Sequence, residues 1–239
     1  KPDATTPNVD GGVDPPTDAG IDVRQPEAGC RLVIDEEFNG TALGPKWKLA
    51  GAAEFQPGGV VLTRAGQQTE EGGLWWTEEI AFGTKLTALF HYQQFVDTED
   101  NPGYGIGIGW VKSNPQWKLG DQGPNVALCS SGLDGIAASL RLGNELRIDA
   151  IGGISGTCDT TGGRTEAFDR ASGILLLDLT PTTFEATSAA KTHRWPYPFT
   201  VSKTGFIGFT AATGSSSTGT GRFTITEAKV GTTFSAGFS

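Results

Sequence analysis

Methionine is absent from the 239 residues, histidine occurs twice, cysteine three times, and basic residues are outnumbered by acidic ones, 18 to 27. Each scarcity removes a class of function. A net charge of −9 and a pI near 4.7 leave no electrostatic footprint for nucleic acid or for an anionic membrane surface. No apolar run approaches the roughly 18 residues of a membrane-spanning helix; Ile174–Leu177 is typical of the longest, so no membrane insertion is expected. Cys30, Cys129 and Cys158 have neither C-x-x-C spacing nor a nearby histidine, which argues against zinc. His91 and His193 stand alone, and no Ser/His/Asp grouping, nucleophile elbow or phosphate loop is present. With no initiator methionine and no signal peptide before Lys1, the chain reads as already processed.

What is abundant is glycine, 35 residues, and short β-type runs punctuated by Gly, Pro, Asn and Asp. No helical period survives over 11 residues, and the length suffices for one large β domain with a real core. The pattern predicts an all-β antiparallel sandwich of two packed sheets. Expected strands are Arg31–Ile34, Val60–Thr63, Leu74–Thr77, Leu86–Phe95, Tyr104–Val111, a central hairpin, Ile174–Leu179, Thr183–Thr187, Gly205–Ala211 and Arg222–Val230.

The central hairpin, Ile136–Ile151, has an arguable register. A two-residue Gly143-Asn144 turn would mix the two faces, which a half-buried sheet does not tolerate. A three-residue loop, Leu142-Gly143-Asn144, pairs Ile136 with Ala150, Ala138 with Ile148 and Leu140 with Leu146 on a core face. Arg141/Glu145, Ser139/Arg147 and Ala137/Asp149 then form a wet face. Glu145 and Asp149 come out about 13 Å apart, at about 3.3 Å per residue, whereas glycosidase carboxylate pairs work at roughly 5 to 9.5 Å, so no catalytic pair is expected. Continuing the ladder carries Cys129 to within one residue of standing opposite Cys158. The expected disulfide would contribute about 3 to 4 kcal/mol and implies an oxidising, extracytoplasmic compartment. Cys30 is left over, and its state stays open.

Residues 1–29 hold six acidic residues, two basic ones, five prolines and no aromatics, a composition that cannot fold alone. They form an N-terminal extension to a sandwich of residues 30–239. The sparse apolar set Val9, Val13, Ile21 and Val23 offers docking points on a neighbouring molecule, or on the chain's own domain if the extension folds back, best in Ile21-Asp22-Val23, whose alternation puts two apolar side chains on one face, with Pro26 stopping the ladder.

Asp35-Glu36-Glu37-Phe38-Asn39-Gly40-Thr41-Ala42-Leu43-Gly44-Pro45-Lys46-Trp47 resembles the first strand of laminarinase-like glucanases. Gly205-Phe206-Ile207-Gly208-Phe209-Thr210-Ala211-Ala212-Thr213-Gly214, with Arg222-Phe223-Thr224-Ile225, is similar to the closing strands of legume-type lectins. Together these matches bracket residues 31–231 and imply the concanavalin-like sandwich, or jelly roll, shared by both families. The extension resembles the stalks of exported proteins of Gram-negative, especially myxobacterial, bacteria, implying an extracellular or cell-surface location. The resemblance does not carry the chemistry. No glucanase Glu-x-Asp-x-x-Glu run exists, the lectin family's sugar-binding Asp falls on Tyr104, and its Glu-Phe-Asp-Thr metal strand, laid on Arg147-Ile148-Asp149-Ala150, keeps Asp149 alone.

Three constellations remain. Asp97, Glu99, Asp100 and Asn101 gather hard oxygen ligands that suit Ca²⁺, or form a solvated acidic turn needing no cofactor. Trp75 and Trp76 must face opposite sides of a strand, and an outward Trp76, or Trp195 with Tyr197, would stack on a sugar; core packing is the alternative. Gly103, Gly105, Gly107 and Gly109 line one face of a strand as bare backbone, a mark of close approach by a ligand or another backbone, or of sheet curvature. The resulting expectation is a non-enzymatic surface protein that assembles with copies of itself into a filament or surface polymer through its extension. A metal-independent carbohydrate-binding module, with a glycan as partner, is the alternative.

Overall fold

The computed structural model describes residues 29–95, 105–116, 119, 126–128, 133–141, 145–151, 159–165, 172–188, 191–196, 201–214 and 221–233. Among them are strands and no helix; none is therefore long and apolar enough as a helix to cross a membrane. In chain order the strands are β1 (Cys30–Glu36), β2 (Trp47–Gly51), β3 (Glu54–Gln56), β4 (Gly59–Thr63), β5 (Glu71–Trp76), β6 (Ile80–Ala81), β7 (Lys85–Phe95) and β8 (Gly105–Val111), followed by β9 (Gly135–Arg141), β10 (Glu145–Ile151), β11 (Asp159–Thr165), β12 (Ser172–Leu179), β13 (Thr183–Ser188), β14 (Lys191–Pro196), β15 (Thr204–Ala212) and β16 (Arg222–Thr233).

They make two eight-stranded antiparallel sheets. Sheet one runs β14-β13-β12-β7-β16-β4-β3, with β1 also paired to β16; sheet two runs β11-β10-β9-β8-β15-β5-β2, with β6 also paired to β15. The β9–β10 hairpin has the expected register, Leu140 opposite Leu146 and Ala138 opposite Ile148, as period-2 alternation and a three-residue turn require. Between the sheets lies a core of alternating residues, among them Leu86, Phe90, Leu175, Leu177, Ile106, Ile108, Ile207 and Phe209. Trp47 and Trp76, directly opposed on β2 and β5, meet edge to face at 5.0 Å between ring centroids.

A second apolar cluster lies on the other face of sheet two, and it corrects the wet face expected for the hairpin. Ala137, Ser139 and Arg141 are all buried, because the connection from β8 to β9 folds over that face. Its base is closed by the Lys112 N–H donating to the Asp134 carbonyl at 2.8 Å, and its Val126, Leu128 and Leu133, with Leu119 alongside, pack against Trp75, Phe206 and Ile151. Trp75 and Trp76 do face opposite sides of β5, one into each cluster.

Candidate functional site

The floor beneath that third layer is paved with small residues. A Cβ at Gly107 would stand 3.1 Å from Val126 Cγ2 and 3.2 Å from Leu128 Cδ1, and one at Gly109 would stand 2.9 Å from Leu128 Cδ2. Gly105 has φ +151 and would bring a Cβ to 3.0 Å from Val126 Cγ1. What approaches this bare face is therefore the chain's own segment Val126–Leu128; Gly103 lies outside the described residues. Val126 and Ala127 both have positive φ, 45° and 60°, a region that costs a β-branched residue strain. Burial and the Thr210 hydroxyl, which donates to the Val126 carbonyl at 2.5 Å, hold them there.

One end of sheet two gathers the polar features. The registers line up Thr165, Glu145, Arg141, Gly105, Ala212 and Glu71 in a single cross-strand row. Arg141, 4% exposed, donates from Nε to Ser139 Oγ at 2.8 Å. Next to the row, the buried Glu70 carboxylate accepts from the Arg64 backbone N–H and Nε, each at 2.7 Å, and from Nη2. That hydrogen bond, reinforced by the carboxylate charge, raises the Arg64 guanidinium pKa further above its ordinary range. Glu70 and Thr213 exchange two bonds, Glu70 N–H to Thr213 Oγ1 at 2.8 Å and Thr213 N–H to the Glu70 carbonyl at 2.9 Å. Thr69 N–H reaches the Gly214 carbonyl at 2.8 Å, and Thr63 Oγ1 donates to the Gly221 carbonyl at 2.9 Å. Of the anchor points flanking residues 215–220, Gly221 is thus tied to β4 and Gly214 to the connection between β4 and β5. Sequence reasoning missed this lock; the Arg64/Glu70 spacing across a turn was its only signal.

The other expected site residues do not converge here. Trp76 is 7% exposed and belongs to the inter-sheet core, with Lys46 Nζ 5.5 Å from its ring centroid; the stacking role is corrected, because β5 is covered on both faces. Trp195 lies on β14 opposite Phe184, and the pairing continues through Leu179, Leu86 and Thr232 to Arg31. That row marks the opposite end of the sandwich from Gly105, since β7 runs from Leu86 toward Phe95, the strand end preceding β8. Tyr197 lies outside the described residues, as do Asp97, Glu99, Asp100 and Asn101, the cysteines Cys129 and Cys158, and Val9, Val13, Ile21 and Val23. Cys30 is a free thiol. Glu145 and Asp149 both lie on β10, four residues apart. No cluster of three His, Cys, Asp or Glu residues able to hold a metal ion occurs among the described residues.

No protein-family model matches the chain, and no curated protein sequence matches it either. Solved structures do. The Emp47p carbohydrate recognition domain superposes with a TM-score of 0.65 at 15% identity, covering 85% of this chain and 95% of its own. Basic winged bean lectin with Tn-antigen gives 0.66 at 13% identity, over 83% and 97%. Arcelin-5, a lectin-like defense protein from Phaseolus vulgaris, gives 0.65 at 12%, over 87% and 100%. At these identities the likeness bears on architecture, and it agrees with the two antiparallel sheets: the chain has the concanavalin A-like lectin fold.

Proposed function

We propose that this chain is a non-catalytic, lectin-like module that binds a glycan without a resident metal ion, at the end of sheet two marked by Arg141 and Gly105. The observation that carries the reading is the cross-strand row from Thr165 to Glu71 together with the Arg64–Glu70–Thr213 lock. The strand ends of this row lie next in the chain to residues 96–104, 142–144 and 215–220, and segments that connect ordered strands are where recognition residues commonly lie. A buried guanidinium in the middle of the row opposes a cation there. The names of the similar structures, a carbohydrate recognition domain and a lectin with Tn-antigen, support the ligand class. On this reading the module works outside the cytoplasm, where an expected Cys129–Cys158 bond would persist.

The test is a glycan array followed by titration calorimetry of any hit, with and without a chelator. Saturable binding unchanged by chelation is the expected result. Absence of any binding glycan would sink the function, and loss of binding on chelation would sink its metal independence. Self-assembly through residues 1–29, the expectation from composition, concerns residues outside those described; the one described feature that bears on it is the exposed edge of β1.

A further inference from the structure

We propose that the outer edge of β1 is a docking site for residues 21–23 of the same chain, which add to sheet one as a further antiparallel strand. Among the described residues β1 is hydrogen-bonded on one side alone, to β16, so its other side carries unpaired N–H and C=O groups. Its first residues are unfinished as a surface. Arg31 is exposed, Cys30 is half-buried, and Leu32 is 50% exposed, the one exposed large hydrophobic side chain among the described residues. Leu32 stands opposite Gly231, and a Cβ on Gly231 would lie 3.0 Å from Cys30 Sγ. Cys30 and Leu32 therefore share one face of the strand and Arg31 takes the other.

The chain enters β1 through Gly29 at φ +100, a turn conformation open to glycine. A hairpin closing through residues 24–29 sets Val23 opposite Cys30, Asp22 opposite Arg31 and Ile21 opposite Leu32. Every side chain is then matched: Ile21 and Val23 cover Leu32 and Cys30 on one face, and Asp22 meets Arg31 across the strands on the other. A slip of one residue either way puts Asp22 against Leu32 or Cys30 and leaves Arg31 facing an apolar residue. Pro26, which cannot donate to a ladder, falls in the loop, and the six-residue connection reaches its own strand without the cost of a long closure. The ladder is short, because β1 bulges between Leu32 and Ile34. The extension on this account is an edge cover that keeps β1 from pairing with other molecules.

Cys30 serves as the probe. In the full chain, alkylation of Cys30 by iodoacetamide is followed by peptide mass mapping for the wild type, Asp22→Arg, Ile21→Ser/Val23→Ser and the charge-reversed pair Asp22→Arg/Arg31→Asp. The first two variants should react roughly tenfold faster than wild type, as local opening of a covering strand allows. The charge-reversed pair should return close to the wild-type rate, and all rates should be independent of protein concentration. Equal rates in every variant would overturn the proposal. A wild-type rate that rises on dilution would overturn it too, since the cover would then come from a neighbouring chain.

Discussion

Replacing Gly109 by alanine tests whether the glycine row lies beneath the chain's own third layer. The added Cβ would stand 2.9 Å from Leu128 Cδ2, inside ordinary van der Waals separation, and Leu128 is fully buried among Val126, Leu133 and Ile151. Overpacking of this kind costs about 1–3 kcal/mol. Leu128→Ala opens a cavity instead and costs about 2–5 kcal/mol. The two changes occupy the same space, so the double variant should be destabilised by less than the sum of the singles, with a coupling of roughly 0.5–3 kcal/mol. Urea unfolding of the four proteins at constant m-value gives the cycle, and a 2 kcal/mol loss in a chain of this size lowers Tm by about 4–8 °C. If Gly109→Ala changes stability by less than about 0.5 kcal/mol, the ordinary range for an open surface site, or if the two single effects add, then Leu128 does not sit on Gly109 and the face is free for another occupant.

Non-reducing peptide mapping should recover Cys129 linked to Cys158, as continuing the hairpin register read from the sequence expects; recovery of Cys30 bonded to either would contradict that. Trp76→Phe should lower stability while leaving glycan affinity within twofold of wild type; a large loss of affinity at unchanged stability would return Trp76 to the binding surface. Lys229 has a raised pKa, chiefly from its hydrogen bond to Glu227, with Asp35 adding attraction. Its contribution to stability is therefore complete below the ordinary lysine range near ~10.4 and lost as pH rises through the raised value. The stability gap between wild type and Lys229→Met should be small, pH-independent from neutral to mildly alkaline, and should close above that range in pH-dependent unfolding; a gap that widened there would refute the sign.

The sandwich and the central register were legible because alternation in Ile136–Leu140 and Leu146–Ile148 admits one pairing that keeps the apolar residues together. β3 and β6 went unread because they are short, and β11, Asp-Thr-Thr-Gly-Gly-Arg-Thr, has almost no apolar residue to set a period. Ser139 and Arg141 were misassigned to water for a different reason: polarity was taken as exposure, while the layer that buries them comes from the long connection between β8 and β9. The neighbouring glycines and Ala137 did hold the clue, since a face stripped of side chains leaves room for something to lie on it. In the Arg64–Glu70–Thr213 lock the Arg64–Glu70 pair is local, but Glu70 and Thr213 lie far apart in the chain, and no local pattern announces that second contact.

β15 and β16 are the last strands to leave the ribosome among those described, and each lies in the interior of its sheet. Without β16, sheet one falls into β14-β13-β12-β7 on one side and β4-β3 and β1 on the other; without β15, sheet two parts between β8 and β5. A chain lacking residues 204–233 would hold only fragments with open, apolar edges, so collapse into a finished domain must await the synthesis of those residues, and a chain stopped before them would be drawn to aggregate with others like it.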